Sequence, residues 1–260
     1  NVGGFDLGPI ELSSRWRDGS LQFQPAEFTF ENGRIAVEPT LKFDHGVPVL
    51  TMSAGRVIDQ VSISQKLCDG LLRYVDPLFT ITVNLKGRLS LEVEQLQVPL
   101  QADGLHRGSI VGRMLLDDVD FALNESLTEV IELAGLTVEP NIHTSQTIDI
   151  RLEGGRVYHS GLVIPAGTDQ VTLNGWVGLD HSLNVLLRLP VTEQTLGKDR
   201  RLYRPLRGQH IELSVTGTLE EPIVSEEALA HNIQRLIQIT LRDSLSGDDP
   251  FRGMLKRVFR

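Results

Sequence analysis

The sequence predicts a mainly β (α+β) fold: a curved, meandering antiparallel sheet of about a dozen strands built from hairpin repeats, with three or four accessory helices. Apolar and polar residues alternate through much of the chain, for example in "LQFQPAEFTFENGRIAVEPTLKF" from Leu21 to Phe43. Pairs of turn residues such as Asn32-Gly33 and Gly154-Gly155 separate the alternating runs. Alternation with a period of two gives each strand one buried and one solvated face.

The composition excludes several classes of protein. The chain has 260 residues, of which 40% are hydrophobic and 5% aromatic, and a formal net charge of -9. That hydrophobic share argues against disorder, and the acidic balance argues against binding to nucleic acid. A single cysteine, Cys68, cannot form an internal disulfide.

The first strands follow from the turn residues between them. We expect Phe28–Glu31 and Arg34–Phe43 to pair as an antiparallel hairpin, because Asn32-Gly33 suits both positions of a tight type I′ turn. The turn residues Asp44-His45-Gly46 then lead into a strand over Val47–Val57.

Helical periodicity interrupts the strands in three places. A short amphipathic helix is expected near residues 62–75, before Pro77, and a second near 125–134, before Gly135. C-terminal helices are expected within residues 226–258.

The second half resumes the strand pattern within one β-rich domain over residues 1–260. Its predicted strands are Gly108–Phe121, Gln146–Leu152, Arg156–Ile164, Gln170–Leu179, Leu183–Pro190 and His210–Thr216.

Two stretches suggest an internal duplication. "FENGRIAVEPTLKF" begins at Phe30 and "LEGGRVYHSGLVI" at Leu152, and each places an acidic residue, a glycine and an arginine before a strand. We favour two related halves, residues 1–121 and 122–260, with the second β repeat over 146–219. The alternative is an ordinary meander, in which turn chemistry alone makes hairpins look alike.

No catalytic, cofactor-binding or metal-binding residues are predicted, and we expect a protein that is not an enzyme. The carboxylates of Asp117, Asp118 and Asp120 are interpreted as solvated charge, with Asp118 and Asp120 on one face of a strand and Asp117 on the other. The histidines are not at metal-ligand spacing. Cys68 lies in an apolar helical pattern, so it is predicted to be a core residue rather than a nucleophile.

Two basic segments are candidate contacts for anions. One contains Arg200, Arg201, Arg204 and Arg207. These arginines could contact an anionic lipid headgroup, although we favour a solvated loop paired with the chain's excess carboxylates. The other is "FRGMLKRVFR" from Phe251, which could lie on an anionic membrane or dock onto the sheet.

The segments "VTLNGWVGLDHSLNVLLRLPV" from Val171 and "IELSVTGTLEEP" from Ile211 resemble the C-terminal region of AsmA-like proteins, relatives of TamB in the bacterial envelope. The family's closing pattern V-x-G-T-L-x-x-P is matched at Val215, Gly217, Thr218, Leu219 and Pro222. The resemblance covers about Gln146 to Pro222 best and Phe28 to Leu100 more loosely.

The resemblance implies a strongly curved sheet whose concave apolar face accommodates lipid acyl chains, in a periplasmic protein tethered to the inner membrane. Because the chain begins with Asn1, we expect a mature product or an excised piece, with membrane association through a segment outside it or through the C-terminal basic helix. The expected function is therefore binding or transfer of a lipid or another hydrophobic ligand. The alternatives are a structural or protein-interaction β module of the envelope and, more distantly, an envelope polysaccharide hydrolase.

Overall fold

A computed structural model describes residues 13–44, 46–64, 67–68, 72, 82–123, 125–133, 136–137, 139, 141–166, 169–193, 206–224, 231–232, 234–236 and 238. Its strands form one mainly antiparallel β fold, a sheet of fifteen strands. The first seven strands are β1 (Ser14–Arg17), β2 (Ser20–Phe23), β3 (Ala26–Phe30), β4 (Gly33–Val37), β5 (Pro39–Asp44), β6 (Val47–Met52) and β7 (Gly55–Ser62). The others are β8 (Thr82–Pro99), β9 (Ser109–Leu123), β10 (Ile142–Glu153), β11 (Arg156–Ala166), β12 (Asp169–Gly178), β13 (Ser182–Pro190), β14 (His210–Thr218) and β15 (Pro222–Val224).

The described residues contain two helices rather than the three or four predicted. Helix α2 (Glu125–Leu133) confirms the prediction near 125–134. Helix α1 (Gly104–Arg107) was not predicted, because four residues are too few to show a helical period. The predicted helix near 62–75 lies mostly outside the described residues. So does the predicted helical region 226–258, although its described positions have helical backbone.

From β8 onward the sheet is a simple meander. Each strand from β8 to β15 pairs with the next strand in the chain, always antiparallel. We call the end of the sheet at which β8 finishes, at Pro99, the upper end, and the end at which β8 begins the lower end.

The N-terminal strands continue the same meander, but three of them are each broken in two. The segments β6 and β7 both pair with the same edge of β8, and they keep one register across the break, with Met52 opposite Leu96 and Gly55 opposite Val93. The segments β4 and β5 form the next broken strand, in which β5 pairs with β6 and β4 pairs with β7. The segments β2 and β3 form the third, in which β2 pairs with β5 and β3 pairs with β4. The fifteen segments therefore correspond to the dozen long strands that the alternation predicts.

The breaks lie at one level of the sheet. They fall at Gln24-Pro25, at Glu38 and at Ser53-Ala54, next to an irregularity in β8 between Val93 and Gln95. A β-bulge such as the one in β8 leaves ladder hydrogen bonds unmade and bends the strand. A cleft of about 210 Å³ opens across this line, bordered by residues that include Pro25, Glu38 and Ala54. The line divides the N-terminal strands into a lower part (β3, β4 and β7) and an upper part (β1, β2, β5 and β6).

The turn of the first hairpin differs from the prediction by one residue. Phe30 pairs with Gly33, so the two turn residues are Glu31 and Asn32, with φ of 43° and 60°. Gly33 is already the first residue of β4, and a side chain there would meet the backbone of β7. In the second hairpin the turn residues are Gly154 and Gly155 themselves, both with positive φ.

One face of the sheet carries the core. In β13 every second residue is buried, from Leu183 to Leu189, and in β14 the same holds from Ile211 to Val215. The core cluster extends over the strands from β3 to β14. It also includes residues from two connections at the lower end: Leu67, Cys68, Leu72, Ile131 and Leu136. Cys68 is fully buried, which confirms its prediction as a core residue.

Substitution of Gly33 tests the close contact between β4 and β7. A Cβ atom at Gly33 would lie 2.5 Å from the backbone nitrogen of Val61, so we expect Gly33→Ala to lower the free energy of unfolding by about 1–3 kcal/mol. Gly55→Ala is the matched control, because nothing lies within 4 Å of its Cβ position, and its effect should stay within about 0.5 kcal/mol. Urea unfolding measures both values, and equal effects would contradict the close packing.

Candidate functional site

The upper part of the N-terminal strands carries an uncovered apolar face. Across the sheet, Trp16 lies opposite Leu21, Leu21 opposite Leu41, Leu41 opposite Leu50, and Leu50 opposite Val98. Residues that are directly opposite on neighbouring strands point to the same side. An apolar row therefore crosses five strands, and no member of it is fully buried.

Alternation along each strand widens this row into a surface, which we call the open apolar face. It consists of Trp16, Leu21, Phe23, Pro39, Leu41, Phe43, Pro48, Leu50 and Val98. Each of these residues is half-buried or exposed, with Trp16 60% and Phe43 45% exposed. The opposite side of the same strands is mostly polar, with Arg15, Gln22 and Lys42 among its residues. Each strand thus has the polar and apolar sides of a core strand, but no described residue buries its apolar side fully.

The open apolar face continues the core. Leu96 lies opposite Ile110 in β9, which in turn lies opposite the buried Leu152 in β10, so all three point to the core side. Leu96 and Met52 pack against the core cluster. One apolar surface therefore runs from the buried strands onto the uncovered ones.

Two aromatic rings pack against each other at the outer edge of the open apolar face. The rings of Trp16 and Phe43 are 5.2 Å apart between centroids and are tilted by 44°. The backbone nitrogen of Phe43 donates to the carbonyl of Gly19 at 3.2 Å, next to the turn that joins β1 and β2. Such tilted pairs stabilise each other beyond their buried area. The pair leaves a large apolar surface in contact with solvent at the edge strand.

At the upper end, the face adjoins a cleft of about 590 Å³. Its apolar lining includes Val98, Leu100, Leu105 and Leu179, and the last comes from the turn between β12 and β13. Helix α1 forms one wall, and Gly104 at its start lies so close to the carbonyl of Pro99 that a Cβ atom would not fit. Leu100 is 48% exposed, so the lining is open to solvent.

The reverse side of the sheet carries a ladder of ion pairs. Arg34 binds Asp59 at 3.2 Å, Asp59 also accepts from Arg56 at 3.1 Å, and Arg56 reaches Glu92 at 2.8 Å. Glu92 in turn binds Arg113 at 3.1 Å. The hydrogen bond from Arg56 lowers the pKa of Glu92 below its usual value. Because these side chains are solvated, each pair contributes little, and the ladder chiefly keeps this side polar.

The acidic cluster of β9 lies on this polar side. Asp118 has a φ of 54°, and the resulting irregularity places both Asp117 and Asp120 in solvent with the buried Val119 between. The expectation that Asp117 points to the other face is therefore wrong. His143 contacts Asp120 at 2.9 Å and Asp118 at 3.5 Å. In the part of the chain that the structure describes, no group of three or more His, Cys, Asp or Glu side chains is arranged to hold a metal ion.

Most of the predicted anion contacts lie outside the described residues. Arg200, Arg201 and Arg204 lie outside the described residues, as does the segment 251–260. Arg207 is described as an exposed turn residue shortly before β14.

Sequence reasoning did not identify the open apolar face. Its strands were recognised, but alternation says which side chains share a face and not whether anything covers them.

Comparison of the chain with protein-family models, with curated proteins and with solved structures gives no match. No helix among the described residues has the length and apolar character needed to cross a membrane.

Truncation of a leucine distinguishes the open apolar face from the core. Leu187 is 1% exposed, and Leu187→Ala should lower the free energy of unfolding by about 2–5 kcal/mol. Leu41 is half-buried, and Leu41→Ala should cost about 1 kcal/mol or less. Urea unfolding compares the two variants. A loss at Leu41 as large as that at Leu187 would mean that the face is covered in solution.

The contact between His143 and Asp120 predicts a pH-dependent interaction. The hydrogen bond to Asp120, with smaller charge effects from Asp120 and Asp118, raises the pKa of His143 above its ordinary 6.5. The stabilisation is therefore fully present below pH 6.5 and is lost as the pH rises through the raised pKa. An NMR titration of the His143 ring should show a lower pKa in Asp120→Asn than in the parent protein. An unchanged pKa would show that the pair does not form.

Proposed function

We propose that this chain binds, or helps to transfer, a lipid or another hydrophobic ligand along the apolar side of its sheet, without catalysing a reaction. The observation that carries the proposal is the open apolar face, an uncovered continuation of the core surface over five strands. Large exposed apolar surfaces on soluble domains are typical of sites that bind other molecules.

The size of the surface favours a long ligand. Five neighbouring strands span roughly 19 Å at about 4.8 Å per step. Each methylene group removed from water contributes about 0.8 kcal/mol, so ten of them contribute roughly 8 kcal/mol. Association itself costs about 4–15 kcal/mol, which a short apolar molecule would not offset. An acyl chain is the common biological ligand with enough apolar length.

The surroundings limit where such a chain would lie. Below the breaks, the same side of the sheet is occupied by core residues such as Phe30 and Val61. At the upper end, the cleft at Val98, Leu105 and Leu179 extends the apolar path beyond β8. The proposed path is therefore the upper part of β1, β2, β5 and β6 followed by this cleft.

The resemblance to AsmA-like proteins supports the same proposal. It implies a curved sheet with a lipid-binding apolar face, and the line of breaks in the N-terminal strands is a source of such curvature. On this resemblance we also propose a location in the bacterial envelope, with membrane association through a segment outside this chain or through the C-terminal basic residues.

A protein-interaction module is the second candidate. Strand β1 pairs with β2 alone, so its other edge is free among the described strands, and all four of its residues are exposed. A free edge can accept a strand from a partner protein.

Ligand binding can be tested with matched variants of β5 and β6. In Leu41→Gln/Leu50→Gln, two central members of the open apolar face become polar, whereas Lys42→Gln changes the opposite side of β5. We expect a fluorescent long-chain fatty acid to bind the parent protein and Lys42→Gln equally. We expect the double variant to bind at least tenfold more weakly, while its unfolding midpoint changes little.

Native mass spectrometry after bacterial expression provides the second measurement. Co-purified lipid on the parent protein, and its loss from Leu41→Gln/Leu50→Gln, would support the proposal. A clean apo mass across several preparations, together with equal fatty-acid binding by all variants, would overturn it. Saturable binding of an extended peptide that is abolished by Trp16→Pro in β1 would then favour the interaction module.

A further inference from the structure

A pocket at the lower end of β13 and β14 is lined by two arginine side chains and a histidine. Arg188 of β13, His210 of β14 and Arg235 of the helical residues 234–236 border a space of about 360 Å³. Glu212 and Asn232 also line it. The pocket belongs to the polar side of the sheet, because Arg188 and Glu212 alternate with the buried residues of their strands.

Arg188 and Arg235 differ from the arginines of the ion-pair ladder, because no described residue pairs with them. Arg34, Arg56 and Arg113 each bind a carboxylate within 3.2 Å. Neither Arg188 nor Arg235 forms an ion pair or a hydrogen bond with any described residue. Arg188 lies directly opposite Glu212 in the sheet register, yet the two side chains do not pair. Two guanidinium groups that no described residue neutralises therefore line the same pocket, in a chain with net charge -9.

The backbone holds the cationic groups in place. Arg188 and His210 are fixed by the ladder between β13 and β14, in which Pro190 pairs with His210. The side-chain amide of Asn232 donates to the backbone carbonyl of Glu212 at 2.7 Å. Glu212 lies in the part of β14 that the short strand β15 does not pair with. This bond ties the helical residues to the edge of β14, so that Arg235 also faces the pocket. The lining therefore comes from three segments that are separately anchored.

We propose that this pocket binds a phosphate group, either as free phosphate or as the phosphomonoester of a larger molecule. Guanidinium groups donate in a planar fork that matches phosphate oxygens, and the ring N–H of His210 adds a donor. The carboxylate of Glu212 repels an anion, but the two positive charges of the arginines exceed its single negative charge. The remaining positive charge attracts a dianion more strongly than a monoanion. The pocket is independent of the open apolar face, and Arg207 is not among its lining residues.

Titration with inorganic phosphate tests the pocket. We expect saturable binding by isothermal titration calorimetry at low ionic strength, weakening as salt is added. Arg188→Gln/Arg235→Gln should weaken it at least tenfold. Arg15→Gln is the matched control, because Arg15 is an exposed arginine on the polar side of β1 that pairs with no described residue and does not line this pocket. Far-UV circular dichroism and the unfolding midpoint show whether each variant is folded.

Two further probes separate the sources of the phosphate group. Glycerol 3-phosphate represents a soluble phosphomonoester, and phosphatidylcholine vesicles containing phosphatidic acid present the same group on a membrane. If both bind, and the double variant loses both, the pocket accepts a headgroup; if the soluble compounds alone bind, it serves a free phosphate or phosphomonoester. Absence of saturable phosphate and glycerol phosphate binding would overturn the proposal, as would equal binding by the parent, the double variant and Arg15→Gln.

Discussion

The structure depends on keeping most apolar side chains on one side of a very long meander. A strand that gains one residue would turn its following apolar residues to the solvent side. In β8 the buried Leu91 and Val93 precede an extra residue, after which Leu96 and Val98 occupy the core side. In β9 the positive φ of Asp118 has the same effect between Leu116 and Val119. These irregularities keep the apolar side chains on one side of the sheet, although ladder hydrogen bonds are lost. The apolar surface can therefore continue over the whole width of the sheet.

What covers that surface is decided by the lengths of the connections. At the lower end, three of the links between strands are long: residues 63–81, 124–141 and 191–209. Two of these links supply core residues, among them Leu72 and Ile131, to the apolar side. At the upper end the links are mostly tight turns such as Gly154-Gly155, and the longest contains only the single turn of α1. Strands β1, β2, β5 and β6 lie at that end, so no described link between strands covers their apolar residues.

Much of the sheet can be predicted from the sequence, because the pattern that defines each strand lies within a few neighbouring residues. Alternation places the strands from β9 to β14 within a few residues, and α2 follows from its helical period. The breaks in the N-terminal strands were not predicted, since Glu38 and Ser53-Ala54 depart from a strand pattern by only one or two residues. The open apolar face depends on what lies over it, and the cationic pocket joins Arg188 to Arg235 across 47 positions of sequence. Neither arrangement leaves a local signal.

The two proposed sites cannot be two parts of one lipid site. Val98 lies in β8 and Arg188 in β13, five strands apart, which is roughly 24 Å at about 4.8 Å per step. They also lie at opposite ends of their strands, and their side chains point to opposite sides of the sheet. A lipid on the open apolar face would therefore place its headgroup near the upper cleft or at the edge beside Trp16, and not at Arg188 and Arg235. A phosphate group in the pocket must come from a separate molecule, so the apolar and cationic sites can be altered one at a time.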